Sequence, residues 1–561
     1  MTVGFAGRFC LPAIFICRLC DQRLSWLPGA VTAVAIGAAI RSRCTADKRA
    51  MMHYLLVTHE FQRSRQMQMP APDQSVLDRR DDICAALKSI VPASCVIDSR
   101  ESMRAFDADG LSAYRQLPLA VVLPETVDQI AAVMKWCHQQ GVKIVPRGAG
   151  TSLSGGALPL EDAVLLGLGK FNRILEIDYD NRCVVAQPGV TNLAITHAVQ
   201  ADGFYYAPDP SSQIACSVGG NVAENSGGVH CLKYGLTTNN LLGVEIVTME
   251  GEILRLGGKH LDAGDYDLLG VMTGSEGLLG VVSQVTLRIL QKPATARALL
   301  VGFEDTGDAG TAVGDIIAAG IIPAGMEMMD GLAIQAAEDF ANAGYPREAA
   351  ALLIIELDGP QVEVDALIER VEGIVRAAGA SSVRVSQSEE ERNLFWAGRK
   401  SAFPAVGRIS PDYLCMDGTI PRRRLPDMMR RMASLSQKYG LRVANVFHAG
   451  DGNLHPLILF DANQPGELER AEEFGADILR GCVEMGGVLT GEHGVGVEKR
   501  DLMNIQFTED DLKQQQRLKC AFDPGHLLNP GKVFPHLHRC AELGRLHVHE
   551  GKLPHPDLPR F

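Results

Sequence analysis

The feature that most constrains this chain is a glycine-rich stretch, PRGAGTSLSGGALP, which covers residues 146–159 and follows the short apolar segment VKIVP. Glycine allows positive φ angles and lets another group approach the backbone closely. Successive free N–H groups in such a loop form a concave site that suits phosphate. The stretch therefore predicts a loop that binds a phosphate-bearing cofactor, and the alternative is a glycine-rich surface loop without a ligand.

The spacing of this loop differs from that of both common phosphate-binding loops. A dinucleotide fingerprint that begins at Gly148 and Gly150 would need a glycine where Leu153 stands. The Lys-Ser/Thr pair of a nucleotide triphosphate loop is also missing. Two further glycine clusters follow, at residues 208–228 and 273–282. Three such loops within about one domain length predict a single long ligand that is held at several points.

A strand–helix–strand unit leads into the first glycine loop. The segment PLAVVLP, residues 118–124, reads as a buried strand, and Thr126 and Gln129 form the capping-box pattern that opens a helix. Apolar residues at helical spacing follow, and Gly141 marks the end of the helix. The next strand, VKIVP, delivers the glycine loop.

From about residue 295 the order of predicted elements changes. Strands and helices follow the order β-α-β-β-α-β between residues 298 and 387, which is the ferredoxin-like plan. The same order repeats from YLCMDGTIP, residues 413–421, to a final strand GGVLTGEHG, residues 486–494. Two copies of this plan predict one large antiparallel sheet with helices packed on it.

Two histidines and a carboxylate in this second half have the pattern of a metal site. His448 and His455 bracket the turn AGDGNL between two apolar strands, so a hairpin would place the two imidazoles at neighbouring positions. Glu492 and His493 follow between glycines. Two imidazoles and one carboxylate leave open positions on a divalent ion, as a catalytic site requires, and they suit zinc, manganese or iron. The spacing alone leaves ordinary surface or core histidines as the alternative.

The three glycine segments, in this order, resemble the FAD-binding domain of the vanillyl-alcohol oxidase / p-cresol methylhydroxylase superfamily. The resemblance runs from about Asp107 to near the C-terminus. It is closest to the branch of FAD-linked 2-hydroxyacid dehydrogenases that contains the FAD-binding D subunits of glycolate oxidases. FAD-linked D-lactate and D-2-hydroxyglutarate dehydrogenases are the nearest cousins.

The resemblance implies an α+β fold with a divided chain. A two-part FAD-binding domain of the vanillyl-alcohol oxidase type is expected at residues 69–294, after an N-terminal extension at residues 1–68 that is not part of the fold. A substrate domain with ferredoxin-like repeats and a large antiparallel sheet is expected at residues 295–515. Residues 516–561 would return to the FAD domain and end in a tail.

The resemblance also implies which residues hold the flavin, in the three glycine segments and the return segment. These cofactor-binding residues are Arg147, Gly148, Ala149, Gly150, Thr151, Ser152, Gly155, Gly156, Pro210, Ser211, Ser212, Gly219, Gly220, Asn221, Asn225, Gly228, Glu276, Gly280, Val282 and Asn529. Covalent members often carry a histidine where Thr151 stands, so the FAD is expected to be bound noncovalently.

In the related dehydrogenases, residues that match His448, His455 and Glu492 hold the metal. The residue matching His493 is the proposed base, and Arg399, in the segment FWAGRK, matches a carboxylate-binding position. The alternative for Arg399 is a surface arginine of a helix. The implied reaction oxidises a 2-hydroxy acid to the 2-oxo acid by hydride transfer to flavin N5.

The predicted substrate is a small monocarboxylate. The D-2-hydroxyglutarate enzymes bind a second carboxylate with a lysine and an asparagine, and the matching segments here, YLCMD at residues 413–417 and HPL at residues 455–457, contain neither. This favours glycolate, with D-lactate as the second candidate. A flavin subunit without catalytic activity and an oxidase that uses O₂ directly are two further functions that the resemblance allows.

The family implies two partner subunits, one with a similar flavin domain and one with iron–sulfur clusters, and electrons that pass on to quinone. The net charge of −13 without a basic stripe argues against a nucleic-acid partner. The 14 cysteines show no disulfide framework and predict free thiols in a reducing cytoplasm. We expect a cytoplasmic protein that reaches the inner membrane, if at all, through its partner subunits.

The two ends of the chain differ from the rest. The apolar run at residues 27–40 is too short for a confident bilayer span. It is either the apolar part of a signal peptide or the product of a start site placed too far upstream, with the real start near Met67 or Met69. The C-terminal tail carries histidines that suggest either a metal site or a solvated tail, namely His536, His538, His547, His549 and His555.

Overall fold

The computed structural model describes residues 69–260 and 266–535 of the chain. The predictions for residues 1–68 and for the C-terminal histidines lie outside the described residues. Among the helices that are described, none combines the length and the apolar composition that crossing a membrane requires.

A four-stranded sheet holds the first glycine loop. Its strands are β1 (Val96–Ile97), β2 (Ala120–Val122), β3 (Lys143–Arg147) and β4 (Ala163–Gly167). Their spatial order is β1-β2-β4-β3, and both β2 and β3 lie parallel to β4. The glycine loop therefore leaves the sheet at the end of its edge strand β3. The helices of this region are α1 (Gln74–Leu77), α2 (Arg80–Ile90), α3 (Arg100–Met103) and α4 (Val127–Gln140).

Helix α4 forms as its local sequence predicts. The Thr126 hydroxyl accepts a hydrogen bond from the Gln129 N–H, and Gly141 ends the helix with a φ of +66°. The apolar face is buried against the sheet. The second half of the predicted capping box is wrong, because the Gln129 side chain accepts from the N–H of Glu125 instead of Thr126.

A second, antiparallel sheet carries the other two glycine clusters. Its strands are β5 (Ile174–Asp178), β6 (Cys183–Ala186), β8 (Leu241–Val247), β9 (Ile253–Gly257) and β10 (Val281–Arg288), in the order β5-β6-β10-β8-β9. A small pair consists of β7 (Phe204–Tyr205) and β11 (Leu290–Gln291). The helices are α5 (Asn192–Val199), α6 (Val218–Glu224), α7 (Cys231–Tyr234), α8 (Thr237–Asn240) and α9 (Leu268–Met272).

The second half of the chain forms the predicted large antiparallel sheet. Its strands are β12 (Thr295–Phe303), β13 (Gly325–Asp330), β14 (Ala351–Gly359), β15 (Ala380–Val385), β16 (Asp412–Cys415), β17 (Gly418–Thr419), β18 (Val443–His448) and β19 (Asn453–Phe460). The order is β15-β12-β14-β13-β18-β19-β16, and β17 also pairs with β19. Strands β13 and β18 join the two repeats at the centre of the sheet.

Helices cover both faces of this sheet, so its central strands read as continuous apolar runs. The helices are α10 (Thr306–Ala318), α11 (Gly331–Ala341), α12 (Gln361–Ala377), α13 (Glu389–Lys400), α14 (Ala402–Val406), α15 (Leu425–Tyr439), α16 (Glu467–Glu484), α17 (Met503–Gln506) and α18 (Glu509–Phe522). Successive residues of β12, such as Leu299 and Leu300, belong to different apolar cores because neighbouring side chains of a strand point to opposite faces.

The last strand predicted for the second repeat, GGVLTGEHG at residues 486–494, is wrong. Only Val488 makes a bridge, to Thr419, and the chain then turns. The reason is a buried carboxylate, since Asp417 accepts hydrogen bonds from the backbone N–H groups of Gly491, Glu492 and His493. These amides bind a side chain in place of a neighbouring strand, and Gly494 continues the turn with a φ of +82°.

Candidate active site

One cavity, with a volume of about 480 Å³, brings the glycine clusters together with the histidine-bearing segments. The predicted cofactor residues that line it are Arg147, Gly148, Ala149, Gly150, Thr151, Ser152, Pro210, Ser211, Ser212, Gly156, Gly219, Gly220, Asn221, Glu276, Gly280 and Val282. The predicted catalytic and metal residues Arg399, His448, His455, Glu492 and His493 line the same cavity. The lining of the glycine loops consists mostly of small residues, which leaves their backbone open to a long phosphate-bearing ligand such as FAD.

Four predicted cofactor residues, Gly155, Asn225, Gly228 and Asn529, do not line the cavity. Asn529 is buried and connects two of the glycine loops, because its side-chain amide donates to the carbonyl oxygens of Gly156 at 3.1 Å and Glu276 at 2.7 Å. Gly228 packs so closely that a Cβ there would lie 2.4 Å from the backbone of Asp209. Direct contact with the cofactor remains a prediction for these four residues and for those that line the cavity.

The prediction missed the remaining lining residues, most of which are sequence neighbours of predicted ones. They are Pro146, Leu153, Ala157, Leu168, Pro188, Ile214, Cys216, Ser217, Ala223, Glu224, Ser226, Gly277, Val281, Lys400, Phe403 and Pro404. Widening each glycine cluster by a few residues would have found many of them. Phe403 and Pro404 lie on α14, and no sequence signal pointed to that short helix.

The two histidines of the hairpin occupy one face, as predicted. In the β18–β19 ladder Val446 pairs with His455 and His448 pairs with Asn453, which places both imidazoles on the same side. Their ring centroids are 4.9 Å apart. The Nε2 atoms of His448 and His455 lie 3.1 and 2.9 Å from the same oxygen, Oε1 of Glu492.

These three side chains fit a divalent cation. One ligand atom from each of His448, His455 and Glu492 lies within 4.8 Å of the others. Each imidazole directs Nδ1 to an acceptor, Glu327 Oε1 at 2.7 Å for His448 and the Met416 carbonyl at 3.4 Å for His455. Histidine ligands of metals commonly make such a second bond. The site therefore offers two Nε2 atoms and one carboxylate to an ion, with positions left open for a substrate.

A second group of possible ligands is less suitable. Cys415, His455 and His493 also come within ligand distance of one another. The rings of His455 and His493 are stacked, however, with centroids 4.7 Å apart and planes only 8° from parallel. An ion in the plane of one ring would lie outside the plane of the other. Burial also raises the pKa of the Cys415 thiol well above its usual value, which disfavours the thiolate that metals bind.

The two histidines stabilise the charged form of Glu492, and Glu492 and Glu327 stabilise the charged form of His448. Burial works against the carboxylate of Glu492, but the imidazoles of His448 and His455 hold its pKa well below the usual range. Burial likewise works against a charged His448, but the carboxylates of Glu327 and Glu492 raise its pKa well above the usual value. A divalent cation would take the place of the proton that the pair shares.

His493 has the environment of a neutral base. Burial lowers its pKa to about 4, with His455 and Lys499 acting in the same direction against Asp417. Its Nδ1 atom is buried and has no hydrogen-bond partner among the described residues. The imidazole is therefore neutral near pH 7 and has a free nitrogen lone pair, but a pKa of about 4 makes it a weaker base than an ordinary histidine. Its backbone carbonyl accepts from the Ser154 hydroxyl at 2.9 Å, which ties it to the first glycine loop.

Arg399 lies in the last turn of α13 and is not a surface residue, since only 1% of its side chain is exposed. Its Nη2 atom lies 2.7 Å from Oε2 of Glu327, which is equally buried. The Nε atom of Arg399 has no hydrogen-bond partner in the described part of the chain. A buried guanidinium with an unpartnered N–H beside a cavity is suited to receive an anionic group.

Comparison with known proteins identifies two family domains in the chain. The family described as "FAD binding domain" matches residues 118–257, and "FAD linked oxidases, C-terminal domain" matches residues 292–533. Among solved structures, 4-ethylphenol oxidase from Gulosibacter chungangensis has the same fold, with a TM-score of 0.71 and 17% identity over 83% of this chain and 99% of that one. The two matched domains thus define the class of protein, an FAD-linked oxidoreductase.

Sequence relatives identify a narrower family within the FAD-linked oxidoreductases. The chain is 58% identical to "Glycolate oxidase subunit GlcD" of Escherichia coli (strain K12), over 86% of this chain and 97% of that protein. It is 30% identical to "D-lactate dehydrogenase" of Anaerostipes hadrus, over 80% of this chain and 96% of that protein. The chain belongs to the family of FAD-linked oxidases that includes the glycolate oxidase D subunits.

Proposed function

We propose that this chain is a catalytic subunit that oxidises glycolate, and D-lactate as a second substrate, to the 2-oxo acid with FAD as hydride acceptor. The observation that carries the proposal is that Arg399, His493 and the three candidate metal ligands line the same cavity as the glycine loops. The much higher identity to a glycolate oxidase subunit than to a D-lactate dehydrogenase supports glycolate as the main substrate.

The chain's own residues divide the work of the reaction. The guanidinium of Arg399 binds the substrate carboxylate through N–H groups that Glu327 leaves free. The neutral imidazole of His493 takes the hydroxyl proton as the α-hydrogen leaves. The glycine loops hold the cofactor, and Thr151, which lines the cavity, offers no imidazole for a covalent link.

The two bound groups would add chemistry that side chains lack. FAD supplies the hydride acceptor at N5 of its isoalloxazine ring. A divalent ion held by His448, His455 and Glu492 supplies positive charge that lowers the pKa of a bound hydroxyl group. Zinc, manganese and iron all suit this set of imidazole and carboxylate ligands.

The strands next to the candidate metal site favour a substrate with one carboxylate. Cys415 and Leu457 pair across β16 and β19 and are buried, and they stand in the segments where D-2-hydroxyglutarate enzymes carry polar residues for a second carboxylate. The carboxylate of Asp417, in the same segment, is already bound by backbone amides. These two segments therefore contain neither a lysine nor an asparagine for a second carboxylate.

We further propose that electrons leave the flavin to partner subunits, one with a similar flavin domain and one with iron–sulfur clusters, and then to quinone. The family relatives are named as subunits of a glycolate oxidase, which supports assembly with partners. The chain would then be cytoplasmic and reach the inner membrane through those partners.

The test is anaerobic mixing of the purified chain with glycolate, D-lactate, L-lactate and D-2-hydroxyglutarate, followed by flavin absorbance. Glycolate is expected to bleach the flavin fastest and D-lactate more slowly. Bleaching by D-2-hydroxyglutarate alone would contradict the substrate assignment. No bleaching by any of the four, with FAD bound, would indicate a flavin subunit without catalytic activity.

A further inference from the structure

Glu327 connects the candidate substrate site to the candidate metal site. It lies on β13, its side chain is 1% exposed, and it is not among the residues that line the cavity. One oxygen, Oε1, lies 2.7 Å from Nδ1 of His448, and the other, Oε2, lies 2.7 Å from Nη2 of Arg399. A single buried carboxylate thus contacts both a candidate metal ligand and the candidate carboxylate-binding arginine.

The sheet explains this placement. In the β13–β18 pairing Met328 is opposite Phe447 and Met329 is opposite Val446, so the next position along brings Glu327 opposite His448. Neighbouring Met326 and Met328 point to one apolar core, and Glu327 points to the other face of the strand. A carboxylate in a central strand is costly unless it is paired and hydrogen-bonded. His448 lies within hydrogen-bond distance of Oε1, and Arg399 supplies the opposite charge at Oε2 through an ion pair that lacks hydrogen-bond geometry.

The contact with His448 determines which nitrogen can face a metal. A carboxylate at 2.7 Å accepts the N–H of the imidazole at Nδ1, so if a cation replaces the proton that His448 shares with Glu492, the nitrogen left to bind it is Nε2. Nε2 is the atom that points to Glu492. The ion pair with Glu327 lies at Nη2 of Arg399, and neither Nη2 nor Nε of this guanidinium has a hydrogen-bond partner among the described residues.

We infer that Glu327 is a positioning residue that couples the carboxylate site at Arg399 to the metal site at His448. The inference rests on the proposed function and goes beyond it, because it predicts that one substitution outside the cavity lining weakens two binding events at once. Arg399 and His448 stand on different elements, α13 and β18, and Glu327 is the carboxylate that both contact. The competing account is that Glu327 only neutralises the buried Arg399.

The chain offers a closely matched control. Glu356 lies on the adjacent strand β14, is 2% exposed, and also contacts one histidine and one arginine, together with the indole N–H of Trp396. Its Oε1 is 3.2 Å from Nε2 of His230, and its Oε2 is 3.0 Å from Nη1 of Arg392. Neither glutamate lines the cavity. Glu356→Gln therefore measures how far Zn²⁺ affinity and KM change when a buried, paired glutamate elsewhere in this sheet loses its charge.

The experiment compares Glu327→Gln, Glu327→Asp and Glu356→Gln with the wild-type holoenzyme. The FAD-loaded, metal-stripped proteins are titrated with Zn²⁺ by calorimetry, and KM and kcat for glycolate are then measured on the reloaded proteins. Loss of a carboxylate behind a metal-ligating histidine commonly costs 10- to 100-fold in metal affinity. Glu327→Gln is expected to lose at least 10-fold in Zn²⁺ affinity and to raise KM for glycolate about 10-fold, whereas Glu356→Gln changes neither.

Glu327→Asp keeps the negative charge and is expected to recover part of the loss in Zn²⁺ affinity and part of the rise in KM. This variant serves as the test if Glu327→Gln does not fold. Zn²⁺ affinity and KM that match those of Glu356→Gln would overturn the inference. A change in only one of the two quantities would also overturn it, because coupling requires both. The Zn²⁺ titration needs no turnover, so a wild-type chain that binds Zn²⁺ but does not oxidise glycolate would refute the proposed function and leave the metal half of the inference testable.

Discussion

The backbone N–H of His493 donates a hydrogen bond of 2.9 Å to the buried carboxylate of Asp417. The same carboxylate accepts from the N–H groups of Gly491 and Glu492, and Lys499 lies 3.3 Å away as its counter-charge. Asp417 follows strand β16, so the sheet itself holds the loop that carries the candidate base and one candidate metal ligand. Three amides on one carboxylate fix the loop more firmly than its glycine-rich sequence would suggest.

Asp417→Asn is expected to destabilise the protein strongly, because it removes the charge opposite the fully buried Lys499. Breaking one partner of a buried ion pair costs about 3–5 kcal/mol, and the free energy of unfolding measured in urea should fall by that order. Asp427→Asn is the control, since Asp427 forms surface ion pairs with Arg424 and Arg430, and exposed pairs contribute about 1 kcal/mol or less. Equal losses in the two variants would refute this account of the loop.

Gly494→Ala is expected to impair both stability and FAD retention, for steric reasons as well as backbone strain. The residue has a φ of +82°, and a Cβ there would lie 2.2 Å from Oε2 of Glu224, which lines the cavity. Gly440→Ala is the matched control, with a φ of +65° and no heavy atom within 4 Å of the added Cβ. Gly440→Ala should cost about 1–2 kcal/mol from strain alone and leave FAD content unchanged. The measurements are urea unfolding and the ratio of flavin to protein absorbance, and similar FAD content in the two variants would contradict the prediction.

Arg399→Lys is expected to raise KM for glycolate about 10- to 100-fold with a smaller change in kcat. Lysine keeps a positive charge but lacks the planar fork that holds a carboxylate in bidentate fashion. The measurement is steady-state kinetics with glycolate and with its neutral amide, 2-hydroxyacetamide. The KM for the amide should rise much less than the KM for glycolate, because the amide carries no carboxylate for Arg399 to bind. An equal rise in KM for the two compounds would place Arg399 outside the carboxylate site.

His230 gives the protein a pH-dependent contribution to stability. Its Nδ1 lies 3.0 Å from Asp209 and its Nε2 lies 3.2 Å from Glu356. Burial works against the charged imidazole, but Asp209 and Glu356 raise its pKa to about 10. Because the folded pKa lies above the unfolded value of about 6.5, this stabilisation is complete below pH 6.5 and is lost as pH rises towards 10.

The corresponding prediction concerns His230→Gln. Its loss of unfolding free energy relative to wild type should be largest near pH 6 and shrink towards pH 10, as measured by urea unfolding at several pH values. His197→Gln, at an exposed position of α5, is expected to have little effect throughout. A difference between wild type and His230→Gln that stays constant from pH 6 to pH 10 would show that the charge of His230 contributes nothing.

Local signals in the sequence predicted much of the fold, whereas Arg399 and most of the flavin-binding residues were expected from the family resemblance. Helix α4 follows from its cap at Thr126, its apolar face and Gly141, and the His448–His455 hairpin follows from its turn formers. The strand predicted at residues 486–494 was wrong because a distant carboxylate, Asp417, takes the amides that a neighbouring strand would have used.

No local pattern pointed to residues that contact the site residues without lining the cavity. Glu327 stands 121 residues before His448, in a strand whose sequence, GMEMMD, reads as ordinary core. Its role depends on the β13–β18 pairing at the centre of the sheet, which joins the two repeats. Pairings over such separations are set by tertiary packing, so local patterns could suggest candidate ligands but not the side chains that contact them.

The most direct test of the account is anaerobic stopped-flow reduction of the flavin by glycolate in wild type and in His493→Ala. Removing a general base typically slows a reaction by about 10²- to 10⁴-fold, so the variant should retain FAD and bleach at least 100-fold more slowly at saturating glycolate. If His493→Ala binds FAD and is bleached by glycolate at the wild-type rate, the proposed proton and hydride transfer at this site is wrong.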